Sequence, residues 1–211
     1  PRSRWREWPL RLAAAPVPPD GPPLWLHDFG LQNAAAGAEA GVHDLGAVFE
    51  DAFARIFRGE VENDEFNRLV VAARLPANEI VVLRAYARYL RQIGFALSQT
   101  FVEATLAAHP AIARALVELF KARFDPAREA EGEAAQRERT AAIETALEGV
   151  ANLSEDRVLR QLLALVLATT RTSFWRRGAA GEPRRYLSFK LDPARVPGLP
   201  EPRPMFEIFV Y

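Results

Sequence analysis

The sequence contains no cysteine, which excludes disulfides and thiolate metal sites and suits a cytoplasmic protein. Neither sign of charge is in excess, because 27 basic residues balance 27 acidic ones. A nucleic-acid binder needs a basic surplus to neutralise phosphates, so no nucleic-acid partner is expected. Long apolar runs are missing as well. The longest, Leu162–Ala168, is far short of the ~20 residues of a membrane-spanning helix. No positively charged, apolar-cored signal segment opens the chain, so no membrane partner is expected either. Lysine is scarce, with Lys121 and Lys190 set against 25 arginines. No GxGxxG dinucleotide fingerprint occurs, and no repeat of about 20–50 residues suggests a solenoid.

What is present is 211 residues, 49% of them apolar, enough for a sizeable core in one large domain or two small ones. The pattern predicts a mainly α fold: a multi-helix bundle with a few short flanking β-strands near residues 24–29, 186–191 and 205–211. Residues 1–40 form a proline-rich, irregular N-terminal segment. Within it Leu24–Phe29 reads as a strand between two prolines and Gly30.

Residues 41–175 read as a helical domain. Leu45, Val48, Phe49, Ala52, Phe53 and Ile56 make one apolar stripe, which Gly59 stops. Asn63 is the expected cap of a second helix carrying Phe66, Leu69 and Val70, ended by Pro76. Ile80, Leu83, Tyr86, Ala87, Leu90 and Ile93 make a third stripe. Ser98 reads as the cap of a fourth helix with Phe101, Val102, Thr105 and Leu106. Pro110 suits a first helical turn and leads into Ile112, Leu116, Leu119, Phe120 and Phe124. Asp125-Pro126 repeats the start signal before a helix that is polar through Arg139 and apolar at Ile143, Leu147 and Val150. The polar half is expected to face solvent or a partner. A last helix, Glu155–Thr172, is apolar nearly all round, as expected for the centre of a bundle.

Residues 176–211 comprise a glycine loop, a strand at 186–191, a linker with five prolines between Pro193 and Pro204, and a strand at 205–211. The chain stops inside this last apolar run, and its first residue is Pro1. It therefore reads as a slice of a longer polypeptide.

Three segments carry a family resemblance: LRAYARYLRQIGFALSQTFVEATLAAHP (Leu83–Pro110), ATTRTSFW (Ala168–Trp175) and YLSFKLDPARVPGLPEPRPMFEIFVY (Tyr186–Tyr211). Together they resemble the large-subunit class of bacterial NAD-specific glutamate dehydrogenase. The N-terminal LWLHDF resembles the final strand of an ACT-like module. The resemblance implies a helical region between ACT-like regulatory modules and a catalytic domain, with residues 176–211 leading into the latter. It also implies a parent enzyme that deaminates L-glutamate to 2-oxoglutarate with NAD, works as a homo-oligomer and packs this region against neighbouring domains of the same polypeptide. No catalytic, cofactor-binding or metal residue transfers to this stretch, and no cofactor is expected in it.

Candidate sites in the residues themselves are few. His27, His43 and His109 are separated by 16 and 66 residues, which fits no usual metal spacing. Arg176, Arg177, Arg184 and Arg185 flank the glycine loop and could bind an anion; a solvated loop is the simpler expectation. The charge-dense stretch Glu129–Arg139 reads as a solvated helix face. Trp5 and Trp8 read as packing residues against a neighbouring module, and Tyr86 and Tyr89 as core. Two functions compete: a structural and regulatory helical region of the dehydrogenase, and an independent helical module that binds a protein or an anion.

Overall fold

A helix ends where its apolar stripe runs out or where its backbone finds better partners, and both rules are visible in the computed structural model. It describes residues 42–179, 181, 184 and 186–211. The expected strand at 24–29, and with it Trp5, Trp8 and His27, lies outside the described residues.

Seven α-helices are described: α1 (Val42–Phe57), α2 (Leu69–Ala72), α3 (Ala77–Gln92), α4 (Gln99–Ala108), α5 (Pro110–Phe124), α6 (Gly132–Glu148) and α7 (Leu153–Ala168). Three strands, β1 (Thr169–Thr172), β2 (Ser188–Leu191) and β3 (Glu207–Val210), form an antiparallel sheet in the order β1-β2-β3. The architecture is the mainly α bundle with short flanking strands that the pattern predicts.

Local chemistry sets the boundaries. Ser98 caps α4, its Oγ accepting the Phe101 N–H at 3.2 Å. Pro110 occupies the first turn of α5. Gly59 and Gly94 take left-handed φ values of 70° and 81° just after α1 and α3, a conformation glycine adopts without a Cβ penalty. Asp64, and not Asn63, caps the segment before α2: it accepts the Phe66 N–H at 3.1 Å and opens a 3₁₀ turn, Glu65–Arg68. Asp125 likewise opens a 3₁₀ turn, Pro126–Glu131, so α6 begins only at Gly132. Asn152 caps α7 by accepting the Ser154 and Glu155 N–H groups.

The largest departure from the sequence pattern lies at the end of α7. The expected helix through Thr172 stops at Ala168, and the chain turns directly into β1. Thr169, Thr170 and Thr172 are β-branched and favour extended backbone. Thr169 Oγ1 donates to the Leu165 carbonyl at 2.8 Å, and the pairing of Thr169 with Leu191 draws the backbone out of the helix into the sheet. The strand expected at 186–191 is shorter at its start, although Leu187 still exchanges backbone hydrogen bonds with Tyr211 (2.9 and 2.8 Å). The strand expected at 205–211 spans Glu207–Val210.

One core unites helices and sheet. Leu162, Leu163 and Val166 of α7 are buried, and so are ten residues of α3, among them Tyr86, Tyr89 and Arg84. The centre of the bundle is therefore shared by α3 and α7. Ile143 and Leu147 bury the apolar half of α6. The stripe of α1 is only partly covered: Ala52 is buried, but Phe53 and Phe57 remain exposed. The proline linker is pinned to the bundle. Pro193, Val196 and Leu199 are buried, and Gln161 of α7 donates to the Pro197 carbonyl at 2.7 Å.

Removing volume from the shared centre tests this arrangement. Leu162→Ala should destabilise the chain by about 2–5 kcal/mol, as large-to-small changes at packed sites do. Denaturant unfolding measures the loss, and an unchanged midpoint would place α7 at the periphery.

Candidate functional site

No site for covalent chemistry assembles among the described residues, and no group of three or more His, Cys, Asp or Glu side chains could hold a metal ion there. His109 contacts Glu155 at 2.8 Å and ties the α4–α5 corner to α7. The side chain of His43 and all of His27 lie outside the described residues. Arg176, Arg177 and Arg184 are exposed on the loop between β1 and β2, and Arg185 lies outside the described residues. Two shallow clefts of about 360 and 340 Å³ are present. One lies between α5 and α6 beside Arg123 and Thr140; the other lies between the α3–α4 corner and the linker beside Arg157 and Gly198.

What the structure does build is a junction between the helices and the sheet, with three parts. The first is aromatic. Tyr86 of α3 stacks on Phe189 of β2 with centroids 4.3 Å apart and planes 12° apart. Phe120 of α5 meets Phe189 edge-on at 5.9 Å and stacks on Trp175 at 5.6 Å. Tyr89 meets Phe209 of β3 at 5.3 Å. Offset and edge-to-face pairs of this kind add about 0.5–1.5 kcal/mol each beyond burial.

The second part is a polar knot at the point where α7 becomes β1. Thr169 Oγ1 donates to Leu165, so at 2.8 Å it accepts from the Tyr86 hydroxyl. Arg123 of α5 donates to the carbonyls of Leu167 and Thr169 at 3.3 and 3.1 Å. A cation at these carbonyls suits the negative end of the α7 dipole. Burial pushes the Tyr86 hydroxyl pKa far up, so it stays a protonated donor. Burial and the charge of Arg195 hold Arg123 below the ordinary arginine value.

The third part is ionic. Arg84, fully buried in α3, makes a forked pair with Asp64 (2.7 and 2.8 Å) and reaches Asn67 at 3.2 Å. Its guanidinium also lies 5.4 Å from the Phe66 ring centroid. Burial acts against the charge of Arg84, but the hydrogen bonds and charge of Asp64 outweigh it and raise the pKa. Beside this pair Glu62 accepts from Arg88 at 2.7 Å and from the Tyr211 hydroxyl at 3.1 Å. Burial pushes Glu62 up, yet Arg88, Tyr211 and Arg84 together hold it below the ordinary value of 4.5. Burial and the Glu62 charge push the Tyr211 hydroxyl up to about 12. The last residue of the chain is thus held to the segment before α2.

None of Glu62, Asp64, Arg84 and Arg123 stands out as a site residue in the sequence. The available signal was Arg84 itself, an arginine inside the run Leu83–Ala87 that is otherwise apolar or aromatic.

The comparisons with known proteins fall on the two sides of this junction. Residues 61–126 match the family model "Glutamate dehydrogenase, helical motif 3". Residues 142–211 match "Bacterial NAD-glutamate dehydrogenase, catalytic domain". The chain belongs to the bacterial NAD-specific glutamate dehydrogenase family. It is 46% identical to the NAD-specific glutamate dehydrogenase of Halomonas elongata over 186 residues, 88% of this chain and 11% of that protein. Identity to the enzyme of the same name from Pseudomonas aeruginosa is 43% over 208 residues, 97% of this chain and 12% of the relative. For Mycobacterium tuberculosis it is 40% over 206 residues, 92% of this chain and 12% of the relative. The chain thus spans roughly a ninth to an eighth of the length of these relatives. Within this family, α3, α4 and α5 belong to the helical motif, while α7 and all three strands belong to the catalytic-domain match. Tyr86, Tyr89, Arg123 and Glu62 each reach from the first match into the second.

Two variants test the ionic part. Asp64→Ala should cost about 3–5 kcal/mol, because it strands a buried guanidinium. Denaturant unfolding reads the loss, and a loss below about 1 kcal/mol would mean water replaces the partner. Glu62 gives a pH signature. Its folded pKa is lowered, so its contribution is present above the unfolded value near 4.5 and is lost as pH falls through the folded value. Glu62→Gln should therefore flatten the decline of stability below pH 4.5, measured by thermal melts across pH, and parallel curves for the two proteins would refute it.

Proposed function

We propose that this chain is the junction of a longer NAD-dependent glutamate dehydrogenase polypeptide, a structural and regulatory region in which a helical motif is fused to the opening strands of the catalytic domain. The observation that carries this reading is the single core shared by the two family matches, through the stack of Tyr86 on Phe189 and the hydrogen bond from Tyr86 to Thr169. The parent reaction is L-glutamate, NAD and water going to 2-oxoglutarate, ammonia and NADH. The name that the relatives carry supports it.

The residues described here do not fit NAD. A dinucleotide site needs a parallel sheet with a glycine-rich turn leading from a strand into a helix N-terminus. The described sheet is antiparallel, and the chain holds no GxGxxG. No step of the reaction is assigned to these residues. Their role is to position: α3 and α5 fix where the sheet lies, and the sheet fixes how the chain enters the catalytic domain. The proposal includes neighbouring domains of the same polypeptide as partners, a cytoplasmic location and a homo-oligomeric parent.

The reading as an independent binding module has less support. Most of the polar stretch 127–139 is exposed, as expected of a solvated face, and its inner side is tied to α5, where Arg128 pairs with Glu118 at 2.8 Å and Gln136 donates to the Ala122 carbonyl at 3.4 Å. Arg139 is likewise paired, with Glu131 at 3.0 Å.

The purified chain, incubated with glutamate and NAD, should form no NADH above background, while the parent polypeptide should turn over. Activity in the isolated chain would overturn the positional role. A parent without glutamate-dependent NADH formation would overturn the assignment of the reaction.

A further inference from the structure

Large apolar side chains left in water concentrate on one side of the sheet. Eight are exposed among the described residues, and four of them, Met205, Phe206, Ile208 and Val210, fall within six consecutive positions. Ile208 and Val210 are 66% and 61% exposed, while Phe209 between them is 7% exposed. The alternation shows β3 with one face on the helices and an equally apolar face in solvent. Natural antiparallel sheets usually make the solvent face polar.

The edge of β3 is open too. Leu187 and Tyr211 exchange both backbone hydrogen bonds. Antiparallel pairs alternate between bonded and non-bonded, so in this register Phe189 with Phe209 and Leu191 with Glu207 are bonded pairs as well. The N–H and C=O groups of Ile208 and Val210 therefore point away from β2. Among the described residues no strand pairs with that edge. Unpaired backbone groups beside alternating apolar side chains form a template that accepts a further strand.

We infer that a β-strand from the catalytic domain of the same polypeptide pairs with the free edge of β3, and that its apolar layer covers Phe206, Ile208 and Val210. This rests on the reading that the chain is part of a longer dehydrogenase. Two observations favour this occupant over a second copy of the chain. The patch is confined to one four-residue strand and the two residues before it, whereas a stable dimer buries about 800 Å² on each partner. A tethered strand needs less area, because the covalent link supplies an effective concentration near the millimolar range. In addition, β3 lies within the catalytic-domain match, which runs to residue 211, while the chain spans only 11–12% of its relatives.

Amide hydrogen exchange at single-residue resolution tests the proposal. In the 211-residue chain the Ile208 and Val210 amides should exchange fast, and the Phe209 amide, bonded to β2, slowly. In the parent polypeptide all three should be slow, with Ile208 and Val210 slowed by about 100-fold. The double variant Ile208→Glu, Val210→Lys, in which the new carboxylate would face Lys190 across the strand pair, should restore fast edge exchange in the parent while leaving the melting temperature of the 211-residue chain unchanged. Equal edge exchange in the two wild-type polypeptides overturns the inference. A dimer of the 211-residue chain in sedimentation equilibrium, dissociated by the same double variant, assigns the face to a second copy and overturns it as well. Glutamate turnover by the parent is read separately. Slow edge exchange without turnover keeps the strand pairing and removes the proposed activity; turnover with fast edge exchange does the reverse.

Discussion

The contact of Tyr86 with Phe189 and Thr169 is the constraint on which the rest of the structure depends. One side chain performs two tasks at once. Its ring covers the central strand, and its hydroxyl satisfies the threonine that ends α7. Sheets of short strands are marginal in isolation and need a helix layer to bury one face. Here that layer is α3 and α5, supplied by residues of the helical motif. The three strands consequently have a fixed place only because the helical motif is beside them, and the boundary between the two family matches is not a boundary between two cores.

Electrostatics reinforces the same division of labour. A buried ion pair contributes little net stability compared with an apolar alternative, but it is strict about geometry. Arg84 and Asp64 hold the 3₁₀ turn before α2 at one position along α3. Glu62, two residues before Asp64, then meets Tyr211 at the far end of the chain. The hydroxyl of Tyr211 is neutral at physiological pH, since its pKa lies near 12, so this contact is a charge-assisted hydrogen bond and not a second ion pair. The result is a line of defined contacts from α3 through the turn to the last strand of the catalytic-domain match.

Much of this fold was legible in the sequence because it obeys local rules. Ser98, Pro110 and Gly59 are punctuation with a physical cause, and the stripes of α3, α5 and α7 follow the 3.6-residue period. The bounds of α7 were not legible, because no glycine or proline separates Leu162–Ala168 from Thr169–Thr172. Only the pairing of β1 with β2 turns a frayed helix end into a strand. The start of α6 is hidden in the sequence for a related reason: a cap followed by proline opens a 3₁₀ turn as readily as an α-helix. The junction residues were hidden more deeply. An arginine in an apolar run reads as exposed, and Arg84 is buried because Asp64 and Asn67, 20 and 17 positions away, take up its donors. Pairings of this separation are set by topology, which local periodicity does not encode.

The linker between β2 and β3 carries the final step of the reasoning. Five prolines within residues 193–204 would make a semi-rigid spacer if the segment stood free in solvent. It does not stand free: Val196 and Leu199 are buried, and Gln161 of α7 holds the Pro197 carbonyl. A displacement of α7 is therefore passed to the linker by packing as well as by the direct covalent path through β1. Both routes end at β3, one through the linker and one across the sheet through Phe189 and Phe209. Two independent attachments to the same helix suppress rotation of β3 about either one. The strand whose outer edge is free is thus tied to the helices by two routes as well as by Tyr89 on Phe209, the property expected of a fixed template.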